Sequence, residues 1–164
     1  MKFRFEHTFE TRAERLFAFH ENPDNLTLLL QGWPTFRMIA HCGHIRVGAV
    51  TRVQERIGGI WISLAFEHFL YEPPRRFAER QVRGPFRVFE HVHEFEPLGT
   101  STIVRDRLDV RLPLYLGGEL AITLWVAPKL KRFFQYRHAE LERLVRAGAV
   151  DVCVTTGTTP SGFA

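Results

Sequence analysis

The first ten residues alternate. Phe3, Phe5, His7 and Phe9 fall on one side of an extended chain, and Arg4, Glu6, Thr8 and Glu10 on the other. A period of two marks a half-buried strand. Thr11-Arg12-Ala13-Glu14 then has capping-box spacing, in which a hydroxyl and a carboxylate satisfy the free N–H groups of a starting helix. A short helix through Leu16 and Phe17 is predicted, and Asn22-Pro23 restarts it, with Asn as cap and Pro at the first helical position. Leu26, Leu28, Leu29 and Leu30 supply its apolar side, and Gly32 to Pro34 end it.

From residue 36 to 113 the chain reads as strands, predicted at 36–41, 49–56, 60–71, 76–82, 86–95 and 100–112. Ile57-Gly58-Gly59, Arg83-Gly84-Pro85 and Glu96-Pro97-Leu98-Gly99 are the links between them. Links this short join antiparallel neighbours, because parallel strands need a long crossover. From 119 to 146 the period becomes helical: Ile122, Trp125, Val126, Leu130, Phe133, Phe134, Leu141, Leu144 and Val145 recur at steps of three and four. Pro128 must kink this helix or mark its true start. The pattern predicts an α+β domain over 1–147, followed by a mobile Thr/Gly-rich tail over 148–164 in which Val150, Val152 and Val154 alternate and can pair with an edge strand.

Composition changes this picture little. With 45% hydrophobic and 24% charged residues the chain is globular in type, and at 164 residues it needs no disulfide or metal to fold. Cys42 and Cys153 are far apart and outside any C-x-x-C spacing. The net charge of +4 comes from arginines spread from Arg4 to Arg146, whereas nucleic-acid readers concentrate theirs on one stripe or arm. Nucleic acid is therefore not an expected partner, and most of these arginines belong on solvated strand faces. No apolar run is long enough to span a membrane, and the alternating start is unlike a signal region. A cytoplasmic protein is the default expectation.

The stretch Arg83-Gly84-Pro85-Phe86-Arg87-Val88-Phe89-Glu90-His91-Val92-His93-Glu94-Phe95-Glu96 resembles the GPF-x-x-W-x-H-x-H-x-F segment of bacterial SRPBCC proteins. Gly99-Thr100, Asp106 and Pro113 continue the likeness, and Tyr71-Glu72-Pro73-Pro74-Arg75-Arg76-Phe77 looks like the corner that precedes it. These START-like or Bet v 1-like domains include the polyketide cyclase/dehydrase and lipid-transport group. The resemblance implies a helix-grip fold: a curved seven-stranded antiparallel sheet around a long C-terminal helix, with two short helices after the first strand. It also implies a cavity between sheet and helix for a small hydrophobic or aromatic molecule, such as a lipid or polyketide. Phe89 stands where the family pattern has Trp, which removes an indole N–H donor.

His91 and His93, two apart on a strand, share one face with Arg87, Phe89 and Phe95, while Glu90, Glu94 and Glu96 mark the other as the solvent side. Two imidazoles among aromatics can hold a ligand's polar group, move a proton, or serve as hydrogen-bonded structural histidines. Asp106 falls in phase with Val104, Leu108 and Val110. If that face is inward the carboxylate must be paired or hydrogen-bonded, and its natural partner is a histidine or arginine of the preceding strand, His91 and His93 among them. Strand histidines two apart can also be zinc ligands. The spacing does not choose a third ligand from His7, His68 or elsewhere, and His41-Cys42-Gly43-His44 lacks a partner pair, so no metal is assigned. Gly58-Gly59 and Gly117-Gly118 are too short to cradle a phosphate, so no cofactor is expected.

The candidate ligand-binding residues are Trp61, Phe66, Phe89, His91, His93, Phe95, Trp125, Phe133 and Phe134. The first functional expectation is a non-catalytic binder. Its alternatives are a cyclase or dehydratase using His91 or His93 as general base with Asp106 as orienter, and an interaction module. That module is either a homodimer through a sheet edge or a protein associated with ribosomes or nucleic acid.

Overall fold

The alternating and helical periods fix where each element lies in the computed structural model, which describes residues 1–41, 43–57 and 59–151. In chain order the elements are β1 (Lys2–Phe9), α1 (Ala13–Glu21), α2 (Pro23–Leu29), β2 (Phe36–Ala40), β3 (Val50–Ile57), β4 (Ile60–Glu72), β5 (Arg76–Arg83), β6 (Val88–Leu98) and β7 (Ser101–Arg111). A single 3-10 turn, Leu114–Leu116, leads into α3 (Gly118–Ala121), a π-helical segment Ile122–Val126, and the long α4 (Ala127–Arg146). Among the described residues the seven strands form one antiparallel sheet in the order β1-β7-β6-β5-β4-β3-β2. Register shifts in the β4–β5 pairing at Ala65/Phe66 and His68/Leu70 add to its curvature.

The inner face of the sheet is built from residues in phase. Val104, Asp106, Leu108 and Val110 of β7 are buried, and so are His91, His93 and Phe95 of β6. The outer face carries paired charges, among them Arg105–Glu6 at 2.7 Å, Arg107–Glu94 at 2.8 Å and Arg80–Glu67 at 2.9 Å. Such exposed pairs contribute at most about 1 kcal/mol each, and they account for much of the scattered arginine. Phe134, Arg137, Leu141 and Leu144 of α4 are buried. One core cluster joins Phe9, Leu16, Phe17, Phe77, Phe95, Leu141 and Leu144 under α1, and a second joins Leu108, Val110, Ile122 and Phe134. Each such side chain adds about 1.5–3 kcal/mol on burial.

Several local expectations change. The capping box does not form: α1 starts at Ala13, the cap position falls on Arg12, and no side chain caps it. The Thr11 carbonyl instead accepts a hydrogen bond from Thr102 Oγ1 at 2.6 Å. Asn22 does cap α2, its Oδ1 accepting from Asp24 N at 3.0 Å. Pro128 lies in the first turn of α4, and the π-helical segment carries the chain into it. This is where a missing N–H disturbs a helix least.

β6 runs on to Leu98, absorbing most of the expected link. Its pairing with β5 stops at Glu94, which leaves Pro97 on an unpaired edge that tolerates it. Gly99 makes the remaining turn at φ +63°. Val150 is not in a strand: it sits in a helical turn after Gly148 and is 1% exposed within the core. Val152, Val154 and Cys153 lie outside the described residues, as does Cys42. Among the described residues no helix is long and apolar enough to cross a membrane.

Candidate functional site

Two rungs of the sheet carry the chemistry. In the first, antiparallel register sets His68 of β4 opposite Glu79 of β5, Glu79 opposite His91 of β6, and His91 opposite Leu108 of β7. In the second, Phe77 faces His93, His93 faces Asp106, and Asp106 faces Phe5 of β1. The rungs are two residues apart along each strand, so all these side chains share the inner face. The rings of His91 and His93 lie 3.8 Å apart between centroids, and Phe77 stacks on His93 at 4.3 Å. From α4, Phe134 meets His91 edge-on at 5.6 Å.

Asp106 is the hub and is 1% exposed. Its Oδ1 lies 2.9 Å from His91 Nε2, 2.8 Å from His93 Nδ1 and 3.5 Å from Arg137 Nη1. His138 Nε2 is 3.5 Å from Oδ2. An ionised carboxylate only accepts, so both strand imidazoles donate to it, His91 through Nε2–H and His93 through Nδ1–H. Glu79 is next along: Oε1 lies 3.5 Å from His91 Nδ1, and Oε2 lies 3.6 Å from His68 Nε2. The other ring nitrogen of His68 faces the Ala49 carbonyl at 3.3 Å.

The charges follow from these neighbours. Burial alone would raise the Asp106 carboxyl, but the Arg137 guanidinium and the three imidazoles hold it well below the usual carboxylate range. Burial likewise opposes ionisation of Glu79, and contact with His91 together with the charges of His68, His91 and His93 brings it down to about 2. His91 is penalised by burial yet raised above its ordinary value, because carboxylates flank both ring nitrogens. His93 is pushed down to about 3 by burial and by the charge of His91. One imidazole of the pair therefore favours the cation and the other the neutral ring.

A cavity of about 250 Å³ lies between this inner face and the helical layer. Leu64, Phe66 and Phe89 border it from the sheet, and Trp125, Val126, Leu130, Phe133 and Phe134 from the helical side. Its polar lining includes His68, Glu79, His91, His93 and Arg137. Thr51 also borders it, as do Glu55 and Lys129, an ion pair at 2.6 Å. Trp125 is 71% exposed and borders the hollow, which places it at the mouth.

Of the residues singled out from the sequence, Phe66, Phe89, His91, His93, Trp125, Phe133 and Phe134 border this hollow. Trp61 and Phe95 do not. Trp61 lies under the Arg37 guanidinium, 3.9 Å from its ring centroid. Phe95 shares the histidines' face but is packed against Phe17, Phe77 and His20. His7 is 3.5 Å from Glu142, and His41 is 2.9 Å from Asp24.

Glu79, Arg137, His138 and His20 went unread. Glu79 had a signal, its phase with Phe77. Arg137 and His138 had another: the apolar stripe of the last helix skips from Phe134 to Leu141, and polar residues fill the missing turn.

Comparison with known proteins agrees with this architecture. A START superfamily protein from Mycobacterium smegmatis superposes with a TM-score of 0.65 at 17% identity, over 87% of this chain and 98% of that one. The protein named Ara h 8.0201 gives 0.66 at 14% identity, over 90% and 98%. The ginseng major latex-like protein 151 from Panax ginseng gives 0.64 at 11% identity, over 87% and 95%. At these identities the likeness is one of fold. No functionally curated protein matches the sequence. The family model described as polyketide cyclase / dehydrase and lipid transport matches residues 10–132; the chain belongs to that family, and its fold is the helix grip that the solved structures share.

Proposed function

We propose that this chain binds one small, mostly apolar molecule between the sheet and α4, with a polar group of that molecule directed at His93 and its neighbours. One observation carries the reading: an apolar-walled hollow of about 250 Å³ whose lining includes a cluster of imidazoles, a carboxylate and a guanidinium. Small-molecule sites have this make-up, apolar walls supplying affinity and a few polar groups fixing orientation. The volume is slightly below the common range of roughly 300–1,000 Å³, which favours a mono- or bicyclic compound or a short acyl chain over a large multi-ring lipid. The family's description, which covers both polyketides and lipids, supports the same classes.

Thermal melting with a panel of short-chain lipids, polyketide fragments and simple aromatics tests the reading. A ligand at a hundred times its Kd adds about 2.7 kcal/mol. At roughly 2–4 °C per kcal/mol for a chain of this size, the melting temperature should rise by about 5–10 °C. Native mass spectrometry of protein purified from its own host should show the bound molecule. No shift with any apolar probe, together with an empty native spectrum, overturns the proposal.

A second reading, turnover by a cyclase or dehydratase, is supported by the orientation of His93. Asp106 accepts a hydrogen bond from Nδ1–H at 2.8 Å, which leaves Nε2 as the basic atom on a ring that borders the cavity. His93→Gln should then abolish turnover of a polyketide-like substrate while binding persists. Equal rates in the variant would dismiss it.

A further inference from the structure

We propose that Glu79, His91 and His93 form a site for one divalent transition-metal ion on the wall of the cavity. These residues sit on adjacent strands and border the hollow. Each offers a ligand atom, and those atoms all lie within 4.8 Å of one another.

The spacing of Glu79 and His91 is the first argument. Oε1 and Nδ1 are 3.5 Å apart, too long for the charge-assisted hydrogen bond of about 2.7–2.9 Å that a carboxylate and an imidazolium make. Two ligands that each lie about 2.0–2.1 Å from a tetrahedral zinc are separated by roughly 3.4 Å. The observed gap matches that separation. Because Nε2 of His91 already donates to Asp106, Nδ1 is the ring atom left to ligate, and it lies beside the Glu79 carboxylate. A metal seated there takes the place of the Nδ1 proton, so its uptake should release that proton.

The surroundings are the second argument. Metal-bound histidines nearly always donate their other N–H to a carboxylate or carbonyl, which fixes tautomer and ring orientation. Asp106 does this for both rings at once, at 2.9 Å and 2.8 Å. His68, set by the Ala49 carbonyl, stands 3.6 Å from the other Glu79 oxygen. Two imidazoles and one carboxylate suit Zn²⁺, Fe²⁺ or Co²⁺, whereas Ca²⁺ and Mg²⁺ take oxygen ligands. Three protein ligands leave a coordination position for water or substrate. If the cavity holds the molecule argued above, that position accepts an oxygen of its polar group.

The test needs no organic ligand, so its failure leaves the apolar-cavity reading standing, and the failure of that reading leaves this one. Protein stripped with a chelator is titrated with Co²⁺ and followed by visible absorption, calorimetry and proton release. One equivalent should bind, with the intense d–d bands of a low-coordinate ion and release of a proton. Glu79→Gln and His93→Gln should each weaken binding by roughly 100-fold or more, above the 10–100-fold typical of an outer-shell change. His138→Gln, which approaches Asp106 from α4, should change it far less. No stoichiometric uptake overturns the site, and so does Glu79→Gln binding as tightly as the parent. Should either variant not fold, proton NMR of the parent protein with Co²⁺ decides. Paramagnetically shifted ring N–H signals from His91 and His93 are expected, and their absence refutes the assignment.

Discussion

His93 faces Asp106 across the β6–β7 ladder, and its Nδ1 lies 2.8 Å from a carboxylate oxygen that His91 also reaches, at 2.9 Å. One buried carboxylate thus orients two imidazoles from the neighbouring strand, while Arg137 approaches the same oxygen from α4. The contact ties the sheet to the helix through charge at the level where the apolar core gives way to the cavity. A buried charge is tolerable only when paired and hydrogen-bonded, so the cluster acts as a unit.

Removing the hub should therefore be expensive. Asp106→Asn keeps the shape but leaves Arg137 facing imidazoles without a counter-charge. Breaking a buried pair in this way costs about 3–5 kcal/mol, or roughly 6–20 °C in melting temperature. The urea midpoint should fall accordingly. Arg107→Ala, which removes an exposed pair with Glu94 at 2.8 Å, should cost at most about 1 kcal/mol. Equal effects of the two substitutions would contradict the role of Asp106.

His20 predicts the acid limb of stability. Its Nδ1–H donates to the Leu16 carbonyl at 2.7 Å, and its Nε2 is sealed without a partner. Burial, then the charge of Arg137, pushes it down to about 3 from an ordinary value of 6.5. The unfolded chain takes up a proton below 6.5 that the folded protein refuses until about 3, so stability falls as pH drops through that window. His93 acts in the same direction. The raised value of His91 acts the other way: its stabilisation is complete below 6.5 and is lost as pH rises past that point. Glu79 and Asp106 join only below the ordinary carboxylate range. His20→Asn should flatten the slope between about pH 6 and 5 by up to about 1.4 kcal/mol per pH unit. Urea titrations of chelator-treated protein across that range measure it.

The fold was legible because it rests on period. Alternation placed Asp106 in phase with Leu108 and set Glu90 and Glu94 outside, and the short links demanded an antiparallel sheet. The site was legible only in part, because parity gives a side chain's face but not its distance along the strand from the hollow. Trp61 and Phe66 are five residues apart, an odd interval that sets them on opposite faces of an extended chain. Phe95 has the right face, but α1 packs over it, a contact between segments remote in sequence. Glu79 carries no mark of its place in the sequence beyond its phase with Phe77. Only the cross-strand register, which no local pattern reports, brings it opposite His91.

The position of Trp125 predicts an optical signal. It is 71% exposed and borders the cavity, whereas Trp61 is engaged with Arg37 and does not border it, and Trp33 packs on Phe133 and Tyr136. An occupant of the hollow should remove water from the Trp125 indole and shift its emission to shorter wavelength. Trp125→Phe should abolish most of the ligand-dependent change, and Trp61→Phe should leave it intact. The reverse pattern would move the binding site away from this mouth.

Filling the hollow should separate binding from folding. Val53 is 6% exposed, packs with Leu64 and Phe66, and borders the cavity from β3. Val53→Phe would project a ring into space that no side chain occupies. In a tightly packed core such an enlargement costs about 1–3 kcal/mol; beside a cavity of about 250 Å³ much of that strain is relieved, and the ring gains apolar contacts. The variant should melt within a few degrees of the parent (about 2–4 °C per kcal/mol) and lose the ligand-induced rise in melting temperature. The Asp106 cluster lies on other strands, so the acid limb of stability should keep its slope. A variant that still responds fully to ligand would show that the occupied volume lies elsewhere, and the cavity between sheet and α4 would no longer account for binding.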